Sequence, residues 1–162
     1  MTATANIHAT CIVLAAAAPA PSLAAAGVLL LGDSGAGKSD LALRLIDRGA
    51  RLVSDDRTNL YVEDGRLHAR APAALAGLIE IRGLGIVALP CEASAQIALA
   101  AQLATDVPRM PLPQTYAPPL ALAHAARPPL IRINAYEASA VPKLRWAVYA
   151  LHHGLLRNDG AP

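Results

Sequence analysis

The chain has 162 residues, a formal net charge of +2 and 54% hydrophobic residues, of which few are aromatic. That length suits one domain with a substantial core, and near-neutrality without a basic cluster argues against a nucleic-acid or anionic-membrane binder. There are 37 alanines and no phenylalanine, so Leu, Ile and Val must build the interior.

Cys11 and Cys91 stand far apart with no CxxC or histidine-rich partner, which predicts two buried, reduced thiols rather than a disulfide or a metal site. The apolar N-terminal stretch imitates a secretory signal. However, its first ten residues hold no Lys or Arg, and Pro19 and Pro21 interrupt the run. A cytoplasmic chain without a membrane span is expected.

In chain order, residues 7–14 (IHATCIVL) read as a first strand and 15–26 as an Ala/Pro connection. Residues 27–31 (GVLLL) read as a short buried strand. The helical pattern SDLALRLIDRGA follows, with Gly49 placed to stop it. Residues 51–56 (RLVSDD) predict a strand ending in two acids, and Asp64-Gly65 predicts a β-hairpin. Residues 77–89 are strand-like with internal glycines, and AQIALAAQLA is compatible with strand or helix. Residues 108–129 carry seven prolines and predict an extended loop. PLIRIN is a last strand, and a closing helix begins with Ser139 as N-cap and Pro142 in the first turn. The expected fold class is α/β, in a single domain over 1–162.

The sequence Gly32-Asp33-Ser34-Gly35-Ala36-Gly37-Lys38-Ser39 satisfies G-x-x-x-x-G-K-[ST] between a strand and a helix. Glycines let consecutive N–H groups curl around one anion, and the helix start adds its positive end. Lys38 is then the phosphate-binding lysine and the Ser39 hydroxyl a Mg²⁺ ligand.

Asp55 and Asp56 follow one helix and one strand later. Neighbouring strand residues face opposite ways, so one acid can serve a metal and the other can accept a proton. Glu80 and Arg82 interrupt an apolar stretch, where charges are costly unless paired or metal-bound. Gly83 and Gly85 there indicate a bend or a close ligand approach. His8 alone reads as an ordinary strand histidine; His68, His124, His152 and His153 have no constellation around them.

IHATCIVL, GDSGAGKSDLAL, RGARLVSDD, RAP and EIRGLGI, in that order, resemble the C-terminal catalytic domain of bacterial HPr kinase/phosphorylase, in its short single-domain proteobacterial form. The likeness is strong over 7–89 and weaker over 90–150. It implies a mixed-sheet P-loop fold like the phosphoenolpyruvate carboxykinase nucleotide-binding core. It also implies ATP- and Mg²⁺-dependent phosphorylation of a serine of the phosphocarrier HPr, reversed by phosphorolysis, in the control of sugar metabolism. By motif, Lys38 binds phosphates, and Ser39 and Glu80 hold Mg²⁺. Asp56 exchanges the proton with support from Asp55, and His8 matches the catalytic histidine. Arg82 falls in the EIRGLGI motif, and Arg109 is matched to a catalytic arginine; Arg127 lies near the expected basic loop. The chain departs from the family at Ala9, in place of Gly, and at Asp40, in place of Glu. The basic RPGR-like loop has no clear counterpart. A homo-oligomer is compatible with the resemblance. The rival readings are an ATP-binding regulatory module and a small-molecule kinase.

Overall fold

A computed structural model describes residues 3–14 and 25–157; most of the expected Ala/Pro connection, 15–24, lies outside them. Two long strands organise the molecule, β1 (Thr4–Leu14) and the later β8 (Ala95–Leu103). Between them come β2 (Ala26–Leu31), helix α1 (Lys38–Ile46) and β3 (Arg51–Ser54). The hairpin β4 (Arg57–Glu63) and β5 (Arg66–Arg70) follows, then the hairpin β6 (Leu78–Ile81) and β7 (Gly85–Ala88). After β8 come the short β9 (Gln114–Thr115), β10 (Pro129–Ile133) and helix α2 (Ala140–His152).

The sheet is mixed. β1 lies antiparallel to β2, β3 and β4, whereas β2 and β10 both run parallel to β8. β5 closes the circuit by pairing with both β4 and β8. Side chains alternate across a strand, so an apolar run buried on both faces feeds two cores at once. Ile12, Leu14, Val28, Leu30, Leu99 and Ala101 point towards Leu41 and Leu45 of α1 and Leu144 and Val148 of α2. Their neighbours Cys11, Val13, Leu29 and Ala100 point the other way, towards Leu60, Leu67 and Ala69 of the β4–β5 hairpin. This is why CIVL and VLLL are uninterrupted rather than alternating.

Several expectations hold and several change. The ambiguous AQIALAAQLA is strand β8, central in the sheet with β2 and β10 as parallel neighbours. The Asp64-Gly65 turn has φ of 50° and 72°, as a tight two-residue hairpin requires. Residues 77–89 form two short antiparallel strands rather than one, with Gly83 and Gly85 both at positive φ around the turn. Because one face of that hairpin is open, Glu80, Arg82, Leu84 and Ile86 are exposed, and Glu80 and Arg82 form no ion pair with each other. Strand β3 stops at Ser54, so the two acids lie beyond its end. Ser139 does occupy the N-cap of α2, but its hydroxyl donates to Glu137 rather than capping the helix. Cys11 is fully buried and free, its thiol pushed up by that burial; Cys91 is free but only half-buried. Before β10 begins at Pro129, the Pro-rich 108–129 segment holds β9 and a single 3-10 turn, Leu120–Leu122.

No helix among the described residues is long and apolar enough to cross a membrane. Leu30, fully buried between β2 and the helical layer, tests the two-core arrangement. Leu30→Ala should lower unfolding free energy by about 2–5 kcal/mol in a urea titration.

Candidate active site

The site begins with the loop between β2 and α1. Gly32, Gly35 and Gly37 take φ of 156°, 82° and 93°, values that side-chain-bearing residues rarely adopt. A Cβ on Gly37 would also stand 3.2 Å from that of Ala135, so the loop is pressed against the segment leaving β10. Arg44 of α1 donates to the Ala135 carbonyl and anchors that segment. Tyr136 then reaches back, its hydroxyl donating to the Gly35 carbonyl at 2.7 Å. The same Gly35–Ala36 peptide is held on its other side, where Ala36 N–H donates to Asp33 O at 3.0 Å.

Lys38 is buried in the cradle and donates from Nζ to the carbonyls of Gly32 and Asp33, at 2.7 and 2.9 Å. Burial holds its pKa below the ordinary lysine value; the nearby Asp56, Asp33 and Asp55 charges oppose that shift. At the next residue, the second of α1, the Ser39 hydroxyl donates to Asp55 Oδ1 at 2.7 Å. Asp55 is itself buried and accepts from the Thr10 hydroxyl at 2.9 Å and from the Glu80 N–H at 3.1 Å. Ser39 and Asp55 thus present adjoining hard oxygens, the donor set Mg²⁺ takes when phosphates and waters supply the remainder. The described residues contain no cluster of three or more His, Cys, Asp and Glu placed to hold a metal by themselves.

Asp56 turns away from its neighbour. Its φ is 62°, a left-handed value that costs a non-glycine residue on the order of 1–3 kcal/mol. Two backbone bonds hold it there, Ala9 N–H to Asp56 O at 3.1 Å and Arg57 N–H to Asp55 O at 2.7 Å. The twist sends Asp55 inward to Ser39 and Asp56 outward, where its Oδ1 lies 2.9 Å from His8 Nε2. The two carboxylates therefore face different surroundings, and a strained turn, not the pleat of a strand, separates them.

These groups face one cavity of about 370 Å³, lined among others by His8, Lys38, Ser39, Asp56, Glu80 and Arg82. The structure brings together His8, the loop, Lys38, Ser39, Asp55, Asp56, Glu80 and Arg82. It does not bring in two arginines. Arg109 is exposed in the segment after β8, and Arg127 lines a separate cavity with Arg66 and His152. Against Ser39 it sets Asp55 by its side chain, and Glu80 only through its backbone N–H on Asp55. Thr10 and Tyr136 were not anticipated. Thr10 left a trace, a hydroxyl inside an apolar strand, whereas Tyr136 becomes visible only once β10 is placed beside β2 and β8.

Fold and site define a phosphate-loop α/β domain with an exposed carboxylate beside a histidine at the loop's mouth. Residues 21–92 match the family model "HPr Serine kinase C-terminal domain". The HPr kinase/phosphorylase of Lactiplantibacillus plantarum is 55% identical over 62 residues, 38% of this chain and 20% of that protein. That of Clostridium tetani is 47% identical over 64 residues, 40% of this chain and 21% of the relative. The matched region thus spans about a fifth of the length of these relatives. The Hpr(Ser) kinase/phosphatase from Coxiella burnetii superposes with a TM-score of 0.73 at 25% identity, covering 93% of this chain and 98% of that one. Family model, relatives and fold are each a likeness to the HPr kinase catalytic domain that the motifs resemble.

Protonated Lys38 is the form that attracts phosphate. With its pKa lowered, tripolyphosphate affinity should fall as pH rises, beginning below the ordinary lysine value of 10.5. Lys38→Met should remove both the affinity and that pH dependence in isothermal titration.

Proposed function

We propose that this chain is a protein-serine kinase of the HPr kinase/phosphorylase type, using ATP and Mg²⁺ in the cytoplasm and acting on an HPr-type phosphocarrier. The observation that carries the reading is the split pair of acids: Asp55 buried on the Ser39 hydroxyl, and Asp56 exposed beside His8 at the mouth of the same cavity. A pure binding module has no need of a carboxylate held in a left-handed conformation on the acceptor side.

Bound Mg²⁺ and ATP would supply the phosphoryl group and neutralise its charge. The chain's residues supply position and proton transfer. Glycine-rich backbone N–H groups and Lys38 hold the phosphates, and Ser39 with Asp55 holds the metal. Asp56 is the group available to take the proton from a serine hydroxyl, and His8 orients its carboxylate through Oδ1. Arg82 places a cationic group on the cavity wall facing the transferred charge. In the reverse direction a protonated Asp56 returns the proton while inorganic phosphate attacks the phosphoserine.

The names of the matched relatives support HPr as the acceptor. A protein acceptor also suits a cavity that opens beside the exposed, apolar Leu84 and Ile86 of the β6–β7 hairpin. Incubation with labelled ATP and HPr should label one serine. Asp56→Asn should keep nucleotide binding and lower the single-turnover rate by about 10²–10⁴-fold. Wild-type protein that binds ATP yet labels nothing, HPr included, would overturn the kinase reading and favour a nucleotide sensor.

A further inference from the structure

The cavity that Arg66, Arg127 and His152 share has a volume of about 320 Å³ and lies at the opposite end of the parallel strands from the phosphate loop. It opens where β2, β8 and β10 begin, at Ala26, at 96–98 and at Pro129. The start of β5 and the last turn of α2 complete its walls. No residue of the phosphate loop lines it, and neither do Asp55 and Asp56. Its interior is apolar, with Leu67, Ile97 and Val148 all buried.

The charge around that interior is one-sided. Arg66, Arg127 and His152 line the cavity, and no Asp or Glu does. The arginine ion pairs among the described residues are Arg44–Asp40 and Arg51–Glu92, and neither Arg66 nor Arg127 has a polar side-chain partner there. Glu63 stands opposite Arg66 in the hairpin register, yet its carboxylate lies 3.8 Å from His68 Nδ1 instead. The backbone nevertheless fixes both arginines. Arg66 forms an isolated parallel bridge with Ala126, the residue before Arg127, and the Ala126 N–H donates to Gly65 O at 2.8 Å.

A guanidinium is a planar fork that matches a carboxylate, and two without counter-charges border an apolar interior here. That combination fits an anionic head on an apolar body. Gln96 is the only amide or hydroxyl side chain in the lining. A sugar or another polyol would therefore bury hydroxyl groups without partners. The volume lies at the small end of ligand sites, which limits the body to a short chain.

We infer that this cavity is a binding site for a small organic carboxylate with an aliphatic body of about six to eight carbons. The head group lies between Arg66 and Arg127, and the body lies against Leu67, Ile97 and Val148. The site is independent of the kinase reading, because the phosphate cradle is at the other end of the strands.

Isothermal titration of butanoate, hexanoate and octanoate into the full chain tests both halves of the site. Affinity should rise about threefold per added methylene group. Octanol keeps the body and loses the charge, and should bind about tenfold more weakly than octanoate. Arg66→Gln and Arg127→Gln should each lower octanoate affinity about tenfold. Ala98→Trp, at an exposed position in the lining, should abolish octanoate binding by filling the space. Tripolyphosphate binding should be unchanged in all three variants, which also shows that each is folded. Octanoate binding that survives Ala98→Trp, or that neither arginine variant weakens, overturns the site, and so does equal affinity for butanoate and octanoate. Citrate that binds more tightly than octanoate and is lost with either arginine overturns the ligand class. Wild type that binds octanoate but not tripolyphosphate would sink the kinase reading and leave the carboxylate site standing.

Discussion

The carboxylate of Asp55 is the point on which the site is assembled. A buried, ionised carboxylate costs several kcal/mol to desolvate unless donors surround it. Here three donors do, from three different elements: the Thr10 hydroxyl on β1, the Ser39 hydroxyl at the start of α1 and the Glu80 N–H on β6. Hydrogen bonds to a charged group are worth about 1.5–3 kcal/mol each, and three of them are what a buried carboxylate requires. They also tie β1, the phosphate loop's helix and the β6–β7 hairpin to one carboxylate. That tie, together with the packing of Ile79 and Ile81 into the core under α1, holds Glu80 and Arg82 at the cavity.

The strain at Asp56 follows from the same constraint. Asp55 must face inward to reach Ser39, and the chain must then begin β4 in register with β1, where His8 pairs with Arg57. Only one residue separates these two demands. A left-handed turn at Asp56 meets both, and its consequence is to swing the second carboxylate out beside His8. Asp tolerates that conformation better than most residues because its short polar side chain bonds locally. The acid's placement is thus a by-product of strand register, and the register explains why His8, the fifth residue of β1, stands beside that carboxylate.

What could be read from the residues divides along the same line. The phosphate loop, the β2 and β10 strands, α1 and the Asp64-Gly65 hairpin rest on local chemistry, such as glycine conformations, helix period and turn residues, and each was legible in advance. The pairing of Ser39 with Asp55, the hairpin inside 77–89 and the half-open exposure of EIRGLGI depend on which strand lies beside which. An isolated apolar run with glycines reads equally as one strand or two. Ser139 shows the limit in miniature: it sits at the N-cap as the pattern requires, but the nearby Glu137 captures its hydroxyl first.

Topology also decides what the phosphate loop is attached to. β2, β8 and β10 leave the sheet together, so their exits crowd around one loop, and close contact with Ala135 means that only glycine is comfortable at position 37. The loop is therefore shaped from two sides: by Lys38 drawn inside across the Gly32 and Asp33 carbonyls, and by Tyr136 outside on Gly35. Fixing the Gly35–Ala36 peptide in both directions removes the freedom that three glycines would otherwise give this stretch. An anion then meets donors already aimed, and the ordering entropy of a glycine-rich segment has been met during folding rather than at binding. Preorganisation of this kind requires a residue 101 positions away in sequence. That distance is why the motif alone announces phosphate and says nothing about how tightly it is held.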